Sequence, residues 1–211
     1  MQQLDIFADS RDRVLINRLA EALCAGDLPQ ARAATDELAR EFPADRHLPG
    51  AALLIDALAS ERQLAAALFQ SSTELASARE HLLQPLTQAA HQVLGADAAR
   101  PWLAHRWLAL ARRAATRPFD SATPDLHAAA LWLQGQAWAE AEQAATAIES
   151  WRRKPVPLAW MAQARWHLQG PDAAWPLLAE VAWLAPQRLA PLLAQRKRQP
   201  AGVLALSTRP V

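Results

Sequence analysis

Histidine, cysteine and carboxylate side chains are the residues here that can catalyse a reaction or bind a metal, and their spacing favours neither. No histidine has another histidine three or four residues away, so no helix presents two imidazoles on one face. The six are His47, His81, His91, His105, His127 and His167. Glu140 and Glu142 are two residues apart and point to different sides of a helix. A metal site assembled from distant helices is the alternative that this spacing leaves open.

Cys24 is the single cysteine, which excludes an internal disulfide and a cysteine-built zinc site. It lies beside the apolar face of the first predicted helix with no identifiable base, which indicates a small buried side chain. The phosphate-binding pattern GxxxxGK(S/T), the dinucleotide pattern GxGxxG and the metalloprotease pattern HExxH do not occur. The sequence therefore predicts a protein that is not an enzyme, with no catalytic, cofactor-binding or metal-binding residue.

The elements that position these residues are predicted to be helices. Hydrophobic residues make up 52% of the 211 and charged residues 20%, and alanine and leucine dominate while β-branched residues are few. That balance is typical of a globular, helical chain. Apolar spacing and breaking residues predict helices over 13–25, 27–42, 48–59, 61–84 (as one helix or two), 85–95, 97–115, 126–135, 137–151, 156–170, 172–185 and 186–197.

These helices are assigned to one helical-repeat domain over residues 10–198, with a possible sub-boundary near 117–124. Residues 1–9 are expected to be a flexible N-terminal peptide and 199–211 a tail. The start has no basic segment followed by an apolar stretch, and no run approaches about 18 consecutive apolar residues. We therefore expect a cytoplasmic protein with no membrane partner.

Charge and tryptophan are unevenly distributed along the chain. The first 100 residues carry nine Lys/Arg and fourteen Asp/Glu, whereas residues 101–211 carry thirteen and seven. All nine tryptophans lie between Trp102 and Trp183. Two interpretations stay open for this half: indoles that fill the space between helices, or indoles and arginines that form a concave binding surface. Because the basic excess is mild, we expect no nucleic-acid partner.

The first predicted helix pair resembles a tetratricopeptide repeat. Gly26, Ala31, Leu38 and Pro43 stand at the spacings of that family's turn glycine, small residue, large residue and closing proline. Leu19 replaces the small residue of the family's first helix, so the packing there must differ. The resemblance implies an all-α fold of stacked antiparallel helical hairpins in a right-handed superhelix, with an irregular middle over roughly 60–120. It also implies that the protein binds another protein.

A second echo of such a repeat lies in the other half of the chain. The segments LWLQG and WHLQG end at Gly135 and Gly170, which are 35 residues apart, against about 34 for this repeat type. Neighbouring hairpins stack because one hairpin alone cannot bury its apolar face. The echo predicts that Leu133 and Leu168 occupy equivalent positions and are both buried.

The N-terminal peptide carries a short motif of its own. Its residues are Gln3, Leu4, Asp5, Ile6 and Phe7. QLDIF resembles the pentapeptide by which bacterial replication and repair proteins bind the DNA polymerase sliding clamp: glutamine, leucine, serine or aspartate, leucine, phenylalanine. Ile6 is the one departure, standing where leucine is usual. The alternative is a hydrophobic staple, in which Ile6 or Phe7 packs on Leu15 or Leu19.

Two functions follow from these patterns. The first is a non-enzymatic bacterial adaptor of helical-repeat type, whose partner is another protein. The second is a DNA replication or repair accessory tethered to the sliding clamp through residues 3–7. Neither requires a cofactor.

Overall fold

A computed structural model of the protein describes residues 8–64 and 67–198, and every regular element in these ranges is helical. The described part contains no strand, which confirms the all-α class. The α-helices are α1 (Ala8–Ala25), α2 (Leu28–Glu41), α3 (Leu48–Leu64), α4 (Ser72–His81), α5 (Thr87–Ala114), α6 (Ala128–Gln134), α7 (Trp138–Thr146), α8 (Pro155–Gln169), α9 (Pro171–Leu184) and α10 (Pro186–Arg198).

The chain divides into two compact units, Met1–Ala137 and Trp138–Val211. In the first unit α1 packs on α2, α2 on α3, and α3 and α6 on α5. In the second unit α8 packs between α7 and α9, and α10 packs on α9. The assignment of residues 10–198 to a single domain with a sub-boundary near 117–124 stays a prediction.

The α1–α2 hairpin forms where the sequence predicts it. Gly26 ends α1 with a φ of 71°, a left-handed conformation that costs glycine little. The Asp27 side chain then caps α2 by accepting a hydrogen bond of 3.0 Å from the Gln30 amide. Leu19 of α1 and Leu38 of α2 are fully buried, so the predicted apolar faces are the ones that pack.

The middle of the first unit differs from the predicted segments. Residues 61–64 continue α3, and a new helix, α4, begins at Ser72. Its start is fixed by a reciprocal cap: Ser71 Oγ accepts from the Glu74 amide, and the Glu74 carboxylate accepts from the Gln70 amide, both at 3.0 Å. Pro85 does not separate two helices, as the predicted segments 61–84 and 85–95 imply. It lies inside a π-helical segment, Leu82–Leu86. That segment joins α4 directly to α5.

The helix α5 supplies much of the first unit's core. It bends at Gly95, whose φ of 76° and ψ of 168° are not helical. Pro101 lies inside the helical segment that follows this bend. Beyond the bend, Trp102, Trp107 and Leu110 are buried in the same core as α1 and α3.

The short helix α6 has a histidine as its N-cap. His127 Nδ1 accepts a hydrogen bond of 3.2 Å from the Ala129 amide, and the residue is buried. Burial lowers the pKa of His127, which keeps the ring neutral and able to accept that bond. Thr123, which precedes Pro124 in the loop before this helix, caps no helix with its side chain and donates its hydroxyl to Asp120.

The prediction that Leu133 and Leu168 are equivalent buried residues is wrong. Leu133 is 7% exposed, but Leu168 is 42% exposed. The two glycines that define the echo differ for a physical reason. A Cβ on Gly135 would lie 2.5 Å from Leu108 Cδ2, so close packing requires glycine there. Gly170 has open space around it and a φ of 88°, so its backbone conformation requires glycine instead.

This difference predicts unequal costs for two similar substitutions. Leu133→Ala should lower the free energy of unfolding by about 2 kcal/mol, since it removes buried methyl groups and leaves a cavity. Leu168→Ala should cost less than about 0.5–1 kcal/mol because its side chain is already in contact with water. Urea unfolding of the two variants would measure both losses in the free energy of unfolding. Equal losses would contradict the finding that Leu133 is buried and Leu168 exposed.

None of the helices in the described ranges combines the length and the apolar character that a membrane span requires.

Candidate functional site

The predicted binding residues Gln3, Leu4, Asp5, Ile6 and Phe7 lie outside the described residues. The helix α1 begins at Ala8, directly after this motif. Leu15 and Leu19, on which a staple would pack, are both fully buried.

The most distinctive polar contact of the first unit joins α3 to α5. Glu61 lies between an arginine and a histidine: its Oε2 is 3.2 Å from Arg106 Nε, and its Oε1 is 3.1 Å from His105 Nδ1. The Arg106 side chain is 11% exposed and that of Glu61 20%. Arg106 Nε and Glu61 Oε2 are both buried, and they form an ion pair whose geometry is not that of a hydrogen bond. Sequence patterns gave no sign of this pair, whose members are far apart in the chain.

Arg106 is also held by the helix on which it lies. Its guanidinium carbon is 3.9 Å from the centre of the Trp102 ring, one helical turn earlier, and Nη1 donates to the Trp102 carbonyl at 3.3 Å. The Trp102 indole N–H in turn donates to the Leu23 carbonyl at 3.2 Å, near the end of α1. The arginine four residues after a tryptophan was the one sequence signal that could have indicated this cluster.

On one side of the Glu61–Arg106 pair lies a cavity of about 580 Å³, called here the Cys24 cavity. The end of α1, the end of α3 and the middle of α5 form its walls, with Cys24, Arg62 and Trp102 among the lining residues. Arg62 bonds the Gly26 carbonyl and so ties α3 to the turn after α1.

The prediction that Cys24 is buried is wrong, because the residue is exposed. The buried residues of α1 are Leu15, Leu19, Ala22 and Leu23, and position 24 lies off that face. Partial burial in the cavity wall raises the pKa of the Cys24 thiol, an effect that the charge of Arg106 opposes. The side chain is therefore a neutral thiol at pH 7 and a poor nucleophile.

On the other side of the pair lies a cavity of about 340 Å³, called here the Leu110 cavity. Its apolar wall consists of Ala57, Ala78, Leu82, Leu86, Ala109 and Leu110. Two of these residues, Leu82 and Leu86, are the first and last of the π-helical segment. Such segments are frequent at functional sites because they displace side chains from the regular helical positions.

The polar residues of the Leu110 cavity are mostly basic. Arg106, Arg112, Arg113 and His81 line it together with Asp56 and Glu61. Arg113 stacks on Phe69 at 3.9 Å and donates to the Ala67 carbonyl at 2.7 Å. The Arg112 side chain is exposed and forms no hydrogen bond or ion pair with any residue within 8–64 or 67–198. The cavity thus combines an apolar wall with one arginine free to pair with an anion.

Several of the arginines and tryptophans that could form a binding surface instead make contacts within the fold. Arg117 bonds Ser72, and Arg152 forms an ion pair with Glu180. Trp102, Trp107 and Trp160 are buried, while Trp175 and Trp183 are exposed. The other four are half-buried. The buried indoles fill space between helices, as the first interpretation expects, and the binding surface stays a prediction.

Within 8–64 and 67–198, no three histidine, cysteine or carboxylate side chains come close enough together to hold a metal ion. The two cavities offer ion pairing, stacking on aromatic faces and burial of apolar groups. This chemistry suits the binding of a ligand.

Comparisons with known proteins found no family model, curated protein or solved structure that matches this chain.

Proposed function

We propose that the protein is a non-enzymatic interaction or adaptor protein that binds a short segment of another protein in the Leu110 cavity. The observation that carries the proposal is the composition of that cavity. Its apolar wall adjoins Arg112, whose side chain has no hydrogen-bond or ion-pair partner in the described ranges. A large apolar side chain of the ligand would fill the cavity, and a neighbouring carboxylate would pair with Arg112.

The helical architecture supports this function. Hairpins that stack like tetratricopeptide repeats leave grooves between helices, and such grooves commonly bind peptide segments. We propose that the hairpins of this chain stack in that right-handed manner, starting from α1 and α2. On this proposal the Leu110 cavity, which α3, α4 and α5 line, serves as such a groove.

Protein is favoured over nucleic acid as the partner. Arg113 bonds the Ala67 carbonyl, Arg117 bonds Ser72 at the start of α4, and Arg152 pairs with Glu180. These described arginines already have partners within the fold, which reduces the positive charge available to neutralise phosphates. Tight binding of duplex DNA that weakens steeply with salt would overturn this part of the proposal.

A peptide selection tests the proposal directly. We expect peptides displayed on phage and selected on the full chain to carry a large apolar residue next to an acidic residue. Ala109→Leu fills the cavity and Arg112→Ala removes the cation, so each should weaken a selected peptide at least tenfold in fluorescence anisotropy.

Two matched variants control for general effects on α5. Ala96→Leu and Arg100→Ala change exposed residues of the same helix that line neither cavity. They should leave the affinity unchanged. The proposal is wrong if selection returns no peptide, or if all four variants bind the peptide equally.

A second candidate function is attachment to the DNA polymerase sliding clamp through residues 3–7. Four of the five positions match the motif outright, and the motif ends one residue before α1 begins. Alanine replacements at Leu4 and Phe7, with binding to a purified sliding clamp as the readout, test this function.

A further inference from the structure

The outer face of α9 carries two large side chains that the second unit does not bury. Trp175 is 68% exposed and Trp183 is 87% exposed. They lie four residues before and four residues after Ala179, so all three share one face of the helix. The opposite face, with Leu177, Leu178 and Val181, is buried. Soluble monomers rarely expose two neighbouring indoles, which indicates a surface that something covers.

The stripe formed by Trp175, Ala179 and Trp183 is symmetric about its centre. We propose that this stripe pairs with the same stripe of a second copy of the chain, with the two α9 helices antiparallel. A twofold axis at Ala179 would place Trp175 of each copy against Trp183 of the other. The small side chain at the axis allows the helices to approach closely, while the indoles on either side stack.

Charge at the two ends of the stripe fits the same arrangement. Asp172 precedes Trp175 at the start of α9, and Arg188 follows Trp183 near the start of α10. Both side chains are exposed, and neither forms a hydrogen bond or ion pair with another residue in the described ranges. Antiparallel pairing would bring Asp172 of each copy toward Arg188 of the other, whereas parallel pairing would oppose like charges. The one other charged residue of α9, Glu180, is already paired with Arg152.

The area of the stripe sets the expected affinity between the two copies. An indole side chain can bury about 150–250 Å², so two largely exposed indoles contribute on the order of 300–400 Å² per copy. The total for two copies is then about 600–800 Å², below the roughly 1,200 Å² of a stable interface. We therefore expect a reversible dimer with a dissociation constant in the micromolar range.

Sedimentation velocity of the full chain between about 1 and 500 µM tests the pairing. We expect a shift from monomer to dimer within this range. Ala179→Glu should weaken dimerisation at least tenfold, because it places two carboxylates at the twofold axis. Ala139→Glu makes the same change at an exposed position of α7 and should have no effect. Circular dichroism of both variants checks that the helices are intact.

Charge reversal tests the antiparallel arrangement. Asp172→Arg and Arg188→Asp should each weaken the dimer about threefold or more, and the double variant should restore it. A chain that stays monomeric at every concentration overturns the proposal. So does a chain ending at residue 198 that dimerises when the full chain does not, because the segment 199–211 would then cover the stripe. A dimer that tolerates Ala179→Glu overturns it as well.

Discussion

Replacement of Arg106 by methionine is expected to lower the free energy of unfolding by about 3 kcal/mol. Removing one partner of a buried ion pair costs roughly 3–5 kcal/mol, since the other charge stays behind without compensation. The lower end applies because His105 still faces Glu61 and the Glu61 side chain is 20% exposed. Methionine keeps the contact with Trp102, so the loss in the free energy of unfolding is due mainly to the missing charge of Arg106. Urea unfolding followed by circular dichroism measures it.

The double variant Glu61→Leu with Arg106→Met separates charge from packing. An apolar pair of similar volume commonly replaces a buried ion pair at little cost, so we expect stability within about 1 kcal/mol of the wild type. Arg100→Met, at an exposed position of the same helix, should change stability by less than about 0.5 kcal/mol. A loss below about 1 kcal/mol for Arg106→Met would contradict the importance assigned to this pair.

Replacement of both Leu4 and Phe7 by alanine is expected to abolish binding to a purified sliding clamp, with a loss of at least a hundredfold. Burying a leucine or phenylalanine side chain contributes about 1.5–3 kcal/mol each, and every 1.4 kcal/mol is a factor of ten in affinity. Fluorescence anisotropy with the labelled full chain measures the effect. Thermal stability should be almost unchanged, since a clamp peptide contributes nothing to the fold.

A conservative control comes from the motif itself. Serine and aspartate are both accepted at its third position, so Asp5→Ser should bind the clamp as the wild type does. The staple interpretation predicts the reverse pattern: no clamp binding at all, and a stability loss of about 1–3 kcal/mol when Leu4 and Phe7 are removed. Either half of that pattern would count against the tether.

The helices and their caps were predictable because they depend on neighbours in sequence. Gly26 and Asp27 mark the turn between α1 and α2, as their local conformational preferences require. The errors at Leu168 and Cys24 depend instead on which helices come together, and so on contacts between distant residues. Leu133 and Leu168 are each followed by Gln-Gly, but only Gly135 is packed closely against another helix. No periodicity within α3 or α5 could reveal that Glu61 meets Arg106, or that Cys24 borders the cavity beside them.

The π-helical segment Leu82–Leu86 holds one residue more than an α-helix would need to join α4 to α5. In a π-turn the hydrogen bonds span five residues, so each residue rotates the helix by less than the about 100° of an α-helix. The extra residue is therefore absorbed inside the segment, and the helices on both sides keep their register. Leu75, which is fully buried, and Ala78, which lines the Leu110 cavity, would keep their positions if one residue between His81 and Thr87 were deleted. Such a deletion would reshape the wall of the Leu110 cavity and leave the rest of the core in place.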